Sequence, residues 1–99
     1  MERDATGIEL TEDERSLVLT YGHWGDVLSE IEPQLEAHRE TPGAVIIRSQ
    51  DYNWAMVTGS MSYEVRVMNV KPRWLRLEVL DLCDRIDAEI ARNGYRWRY

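Results

Sequence analysis

His23, His38, Cys83 and eighteen carboxylates are the side chains of this 99-residue sequence best suited to act as nucleophile, general base or metal ligand. A nucleophilic cysteine needs an accessible, electropositive setting and a base within hydrogen-bonding reach. Cys83 instead follows Leu82 and precedes Ile86 on what reads as the apolar face of a helix, where cysteine packs as a small hydrophobe. The two histidines stand fifteen positions apart with no further His or Cys at metal-ligand spacing, and His38 continues an apolar stripe. Gly22-His23-Trp24-Gly25 is too short for a phosphate cradle and lacks its lysine and hydroxyl. Among eighteen acids, close pairs of carboxylates arise by chance. No catalytic residue, metal ligand or cofactor contact is expected, and the chain reads as one that binds rather than catalyses.

Binding chemistry is better supplied. Residues 1–40 carry eleven acids against three arginines, a net −8, whereas residues 41–99 carry seven acids against nine bases, a net +2. Asp26 and Glu30 recur at i,i+4, and so do Glu32, Glu36 and Glu40. Like charges at that spacing destabilise a helix by about 0.2–0.5 kcal/mol per pair. Glu36 and Glu40 also fall toward a helix C-terminus, where the dipole disfavours them, and Arg39 offsets only part of this. A stability cost without structural return points to a carboxylate surface offered to a basic partner protein. If the partner's surface ordinarily holds nucleic acid, this chain competes for it electrostatically. The competing reading is an ordinary solvated face.

The opposite misplacement follows. Lys71, Arg73 and Arg76 crowd the positive end of the last helix, with Trp74 among them. Either they pair inside the fold with the acidic first half, which is the favoured reading, or they remain outside as a binding patch. Four Trp, five Tyr and no Phe give every aromatic side chain a polar handle, and with eleven Arg this is a set enriched at interface centres. Tyr95-Arg96-Trp97-Arg98-Tyr99 interleaves aromatics with arginine, so Arg73, Trp74, Arg76, Arg96 and Trp97 are candidates for stacking bases and touching phosphates. A net charge of −6 makes a poor nucleic-acid footprint, and a short terminal strand at a sheet edge is the alternative for the tail.

The elements that must carry these residues follow from pattern. Residues 1–9 lack periodicity and are expected to fray. Thr11-Glu12-Asp13-Glu14 is a capping box opening a helix over residues 12–21. Leu17, Tyr21, Trp24, Leu28, Ile31 and Leu35 form one helical stripe, which predicts a second helix over 25–40 after a break at Gly22 and Gly25, kinked near Pro33. Residues 44–48, 54–58 and 63–68 read as strands, the last alternating Tyr63, Val65, Val67 against Glu64, Arg66, Met68. Residues 50–53 and 59–61 are the turns between them. A closing helix over 73–92 buries Leu75, Val79, Leu82, Cys83, Ile86 and Ile90, carries an Asp81, Arg85, Glu89 ladder, and ends at Asn93-Gly94. The fold class is therefore α+β: two N-terminal helices, a three-stranded antiparallel meander and a long C-terminal helix packed on the sheet. The core is expected to hold Leu17, Tyr21, Leu28, Ile31, Leu35, Val45, Ile47, Val57, Val65, Val67, Leu75, Val79, Leu82, Ile86 and Ile90.

The chain reads as one domain, with 43% hydrophobic and 30% charged residues. The longest uncharged run, residues 52–63, is well short of the ~20 residues a membrane span needs. Met1-Glu2-Arg3-Asp4 does not start like a signal peptide, and a single cysteine forms no internal disulfide, so a reducing cytoplasm is expected. The leading functional expectation is a small acidic protein-binding module, an inhibitor or adaptor. The alternatives are a homo-oligomeric assembly protein using the stripe from Leu17 to Leu35 and the terminal strand, and nucleic-acid binding through the arginine- and tryptophan-rich segments.

Overall fold

In the computed structural model, the residues described are 5–22, 30–68 and 72–94. In chain order they form β1 (Ala5–Leu10), α1 (Glu12–Tyr21), α2 (Glu32–Ala37), β2 (Val45–Gln50), α3 (Asp51–Tyr63), a π-helical extension (Glu64–Met68) and α4 (Arg73–Arg92). The class is α+β, but the sheet has two antiparallel strands in the order β1-β2, and the three-stranded meander is not formed.

The expectation of a frayed start is corrected for residues 5–9. Thr6, Ile8 and Leu10 alternate with Ala5, Gly7 and Glu9, a period of two that turns every second side chain inward. Ile8 stands opposite Ile47, Thr6 opposite Ser49 and Leu10 opposite Val45. Gly7 suits its position because a Cβ there would lie 2.9 Å from Cγ2 of Ile46. Both outer edges of this small sheet are bonded by side chains. Along β2, Gln34 Nε2 donates to Arg48 O at 2.6 Å, Gln34 Oε1 accepts the Arg48 N–H at 3.0 Å, and Glu30 Oε1 accepts the Gln50 N–H at 3.2 Å. Along β1, Asn93 Nδ2 donates to Ala5 O at 3.1 Å and Arg85 Nη1 to Glu9 O at 2.9 Å.

The second and third expected strands are instead α3 and its extension. Trp54, Val57, Met61 and Val65 are all buried, and their spacing of 3, 4 and 4 is helical. Of the alternating trio Tyr63, Val65 and Val67, only Val65 is inside, while Val67 is 64% exposed and leaves the predicted core. Residues 59–61 lie within α3 rather than in a turn, and Asp51, expected in the other turn, begins the helix.

α1 matches its prediction at both ends, from its capping box to Gly22. Gly22 can pack closely there, since a Cβ would lie 2.6 Å from Val18 O and 3.3 Å from Cγ1 of Val57. α2 is shorter than predicted. Pro33 lies in its first turn, where the missing N–H has no intrahelical acceptor to lose, so the helix starts at Glu32 and takes in Pro33 without a kink. Residues 23–29 of the predicted helix lie outside the described residues. α4 spans its predicted residues, but it packs chiefly on α3 rather than on the sheet, of which it touches mainly β1. Its apolar face buries Val79, Leu82, Cys83, Ile86 and Ile90, with Leu75 half-buried. They meet Ile8, Leu10, Val18, Ile31, Leu35, Ile47, Trp54, Ala55, Val57, Met61 and Val65 in one core cluster. Leu17, Tyr21 and Val45 pack on its margin, and Leu28 lies outside the described residues. No helix among the described residues is long and apolar enough to cross a membrane.

Candidate functional site

The acidic region is built on α1, α2 and the turn after α2. Thr11 Oγ1 accepts the Glu14 N–H at 3.2 Å and Glu14 Oε1 accepts the Thr11 N–H at 2.9 Å, closing both halves of the capping box. Acids at Glu12, Asp13 and Glu14 then face the positive end of α1. Arg15, next in sequence, is 3% exposed. Its guanidinium meets backbone carbonyls: Nη1 donates to Leu10 O at 2.9 Å and to Gly43 O at 2.8 Å, and Nη2 to Thr41 O at 2.5 Å. Carbonyl dipoles therefore satisfy this buried cation, and it neutralises no surface carboxylate among the described residues. Sequence reasoning missed this role, because the three acceptors come from backbone up to 28 positions away.

Four of the five predicted acidic positions are described. Glu30 is exposed and accepts the Gln50 N–H, Glu32 is half-buried, and Glu36 and Glu40 are exposed. Glu36 pairs with Arg39 at 2.6 Å, and that bond raises the guanidinium pKa of Arg39 above its ordinary value, with a smaller contribution from Glu40. Glu32 and Glu40 form no ion pair among the described residues. Asp26 lies outside them. The helical ladder of like charges is not what joins these acids, because α2 ends at Ala37 and leaves Glu40 beyond it, while Glu32 sits in the first turn, where the dipole favours it. Glu36 and Glu40 are exposed at the end of α2 and in the turn after it, and Glu12, exposed on α1, reaches that turn through the Gly43 N–H at 3.4 Å.

Among the described residues the rear arginines leave most of these acids unpaired. One rear guanidinium among the described residues pairs with a front-half carboxylate, Arg85 Nη2 with Glu14 Oε1 at 2.7 Å, which replaces the expected ladder with Asp81 and Glu89. Glu89 pairs with Arg92 instead, at 2.8 Å. Arg73, Trp74 and Arg76 are exposed on the first turn of α4, and neither arginine forms an ion pair among the described residues, so their favoured internal pairing is not found there. Lys71, Arg96 and Trp97 lie outside the described residues, as does the predicted terminal strand.

The catalytic candidates sit apart. Cys83 is buried, and its thiol is pushed up to about 12 by burial first and by Asp87 and Asp84 second, so it is protonated at neutral pH. Its Sγ lies 3.6 Å from Thr58 O. His38 is half-buried with Nδ1 3.2 Å from Thr41 Oγ1, and His23 lies outside the described residues. Among the described residues no three His, Cys, Asp or Glu side chains gather as a metal site. Two polar clusters went unread in the sequence. Thr6 Oγ1 donates to the buried Asp51 carboxylate, which Asn93 Nδ2 also approaches at 3.2 Å, while Trp54 Nε1 donates to Thr6 O at 3.0 Å. Asp87 accepts from Thr58 Oγ1 at 2.8 Å beside a cleft lined by Gly59, Ser62, Arg66 and Asp84, and burial raises its pKa against the lowering effect of that bond. An acid such as Asp51 just before an apolar run is the signal that could have revealed the first cluster.

Compared with protein-family models, curated proteins and solved structures, the chain gives no match in any of the three.

Proposed function

We propose that this chain is a small acidic protein-binding module, an inhibitor or adaptor in a reducing cytoplasm, that presents the carboxylates of α1, α2 and the following turn to a basic surface of a partner protein. The supporting observation is the fate of the front-half acids. Glu14 alone among them is taken by a rear arginine within the described residues, and Glu12, Asp13, Glu36 and Glu40 face solvent. A partner surface that ordinarily grips phosphates would find carboxylates there in place of nucleic acid. Binding rather than catalysis suits a buried thiol held at about 12.

The assembly alternative loses part of its basis, since Ile31 and Leu35 of the apolar stripe are fully buried in this chain's own core. Nucleic-acid binding rests on Arg73, Trp74 and Arg76, which are exposed. Capture from an extract of the source cells, comparing the wild type with the Glu32→Lys, Glu36→Lys, Glu40→Lys triple variant, tests the proposal. The expected result is a basic protein retained by the wild type, released by salt and lost by the variant. Identical retention by both proteins rejects the acidic surface as the binding element, and retardation of DNA or RNA by the wild type at low salt favours the nucleic-acid reading.

A further inference from the structure

Trp74 keeps 66% of its surface in solvent and Leu77 keeps 49%, and both lie in the first two turns of α4. At i and i+3 they are neighbours on the helix surface, and Arg73 and Arg76, at the same spacing, flank them. The first turn of α4 carries no acid. Neither arginine is ion-paired among the described residues, so two cations stand at the helix end where the dipole disfavours them and nothing described in the chain offsets it. An exposed tryptophan beside leucine, rimmed by arginine, has the anatomy of an interface: an apolar centre inside a charged border.

The complementary surface belongs to the same chain. Residues 5–22 and 30–44 hold eight acids against Arg15 and Arg39, and Arg15 is committed to backbone carbonyls. Between α1 and α2 runs a groove lined by Glu12, Ser16, Leu19, Thr20 and Leu35 together with Arg15 and Arg39. Leu19, half-buried, is the apolar side chain it leaves for Trp74; Arg39 there is already paired with Glu36, and Glu12 in the lining, with Glu40 exposed after α2, supplies carboxylates for the flanking arginines.

We infer that the Arg73–Trp74–Arg76–Leu77 patch docks on the acidic α1–α2 face of a second copy of this chain. The two surfaces differ, so the contact is head-to-tail and propagates into open chains or rings rather than stopping at a two-fold dimer. The inference shares with the proposed function only the exposure of the acidic face. Self-association and partner capture then compete for that face.

Sedimentation of the full chain over a range of concentration, at low and high salt, is the first measurement. The wild type grows past dimer as concentration rises and dissociates as salt is added. Trp74→Ala weakens the association at least roughly tenfold, as loss of an interface-centre tryptophan does, while leaving partner capture intact. A second measurement mixes two variants. Arg73→Gln/Trp74→Ala/Arg76→Gln disables the patch, and Glu36→Lys/Glu40→Lys disables the face. Each is monomeric alone with unchanged circular dichroism, and the mixture forms a 1:1 heterodimer that grows no further, because one intact surface of each kind remains. A wild type that stays monomeric at the highest concentration overturns the inference. So does a dimer indifferent to salt and to both variants, or a pair of monomeric variants that fail to combine.

Discussion

Arg15 shows how much a single side chain can hold. Its guanidinium joins the end of β1, at Leu10, to the turn at Thr41 and Gly43 after α2. Replacement by Met removes the donors and leaves the buried Leu10 carbonyl and two partly buried ones without their partner. Arg15→Met is expected to cost about 2–4 kcal/mol, read by urea denaturation, with little change in the exposed acids. Cys83 makes a prediction in pH. Burial lifts its folded pKa from 9.0 to about 12, so the unfolded chain ionises first. The unfolded state then binds fewer protons than the folded one, and stability falls as pH rises through the window from 9 to 12, by at most about 1.4 kcal/mol per pH unit from this thiol. Cys83→Ala should flatten that part of the curve. If wild type and variant lose stability in parallel across the window, the thiol is not the source.

At the scale of elements, legibility followed how many local signals agreed. α1 and α4 were readable because capping residues, apolar spacing and stop signals all pointed to helix, and both match in extent. α3 was not readable, because Trp54, Ala55, Met56, Val57 and Thr58 form a short apolar run that suits strand or helix equally. Its helical period emerges only when Met61 and Val65 join across Gly59, a residue that ordinarily signals a turn. β1 was missed because six residues containing Thr6 and Gly7 carry a weak alternation, and only pairing with a strand forty positions on makes it a sheet. The acid surface was legible as composition, whereas the exposures that make it a surface depend on which long-range pairs form, and no spacing rule reveals those. Gly59 separates the two readings of its segment by experiment. It is exposed within α3, with nothing within 4 Å of a Cβ placed there. Gly59→Ala should therefore stabilise the protein by about 0.5–1 kcal/mol in thermal or chemical unfolding. A loss of stability would instead indicate a turn at this position.

At the scale of the whole molecule, charge among the described residues is distributed with little internal cancellation. Three ion pairs occur among the described residues, and two of them, Arg39 with Glu36 and Arg92 with Glu89, are local contacts one helical turn apart. Exposed pairs of this kind are screened by solvent and contribute little to stability. The triple reversal Glu32→Lys, Glu36→Lys, Glu40→Lys should therefore shift the melting temperature by only a few degrees while moving the net charge from −6 to near zero. A melting temperature that collapses would mean these acids support the fold itself. With the fold intact, any loss of binding by this variant reports on the surface alone.

The side chains stationed along the β1–β2 ribbon limit how anything can dock. Gln34 and Glu30 on one flank, and Asn93 and Arg85 on the other, occupy main-chain positions that an incoming extended peptide would need to lengthen the ribbon. A visiting chain is thus denied a ladder to climb, and the ribbon offers poor seeding for fibrils. Whatever recognises this molecule must read its chemistry rather than its backbone.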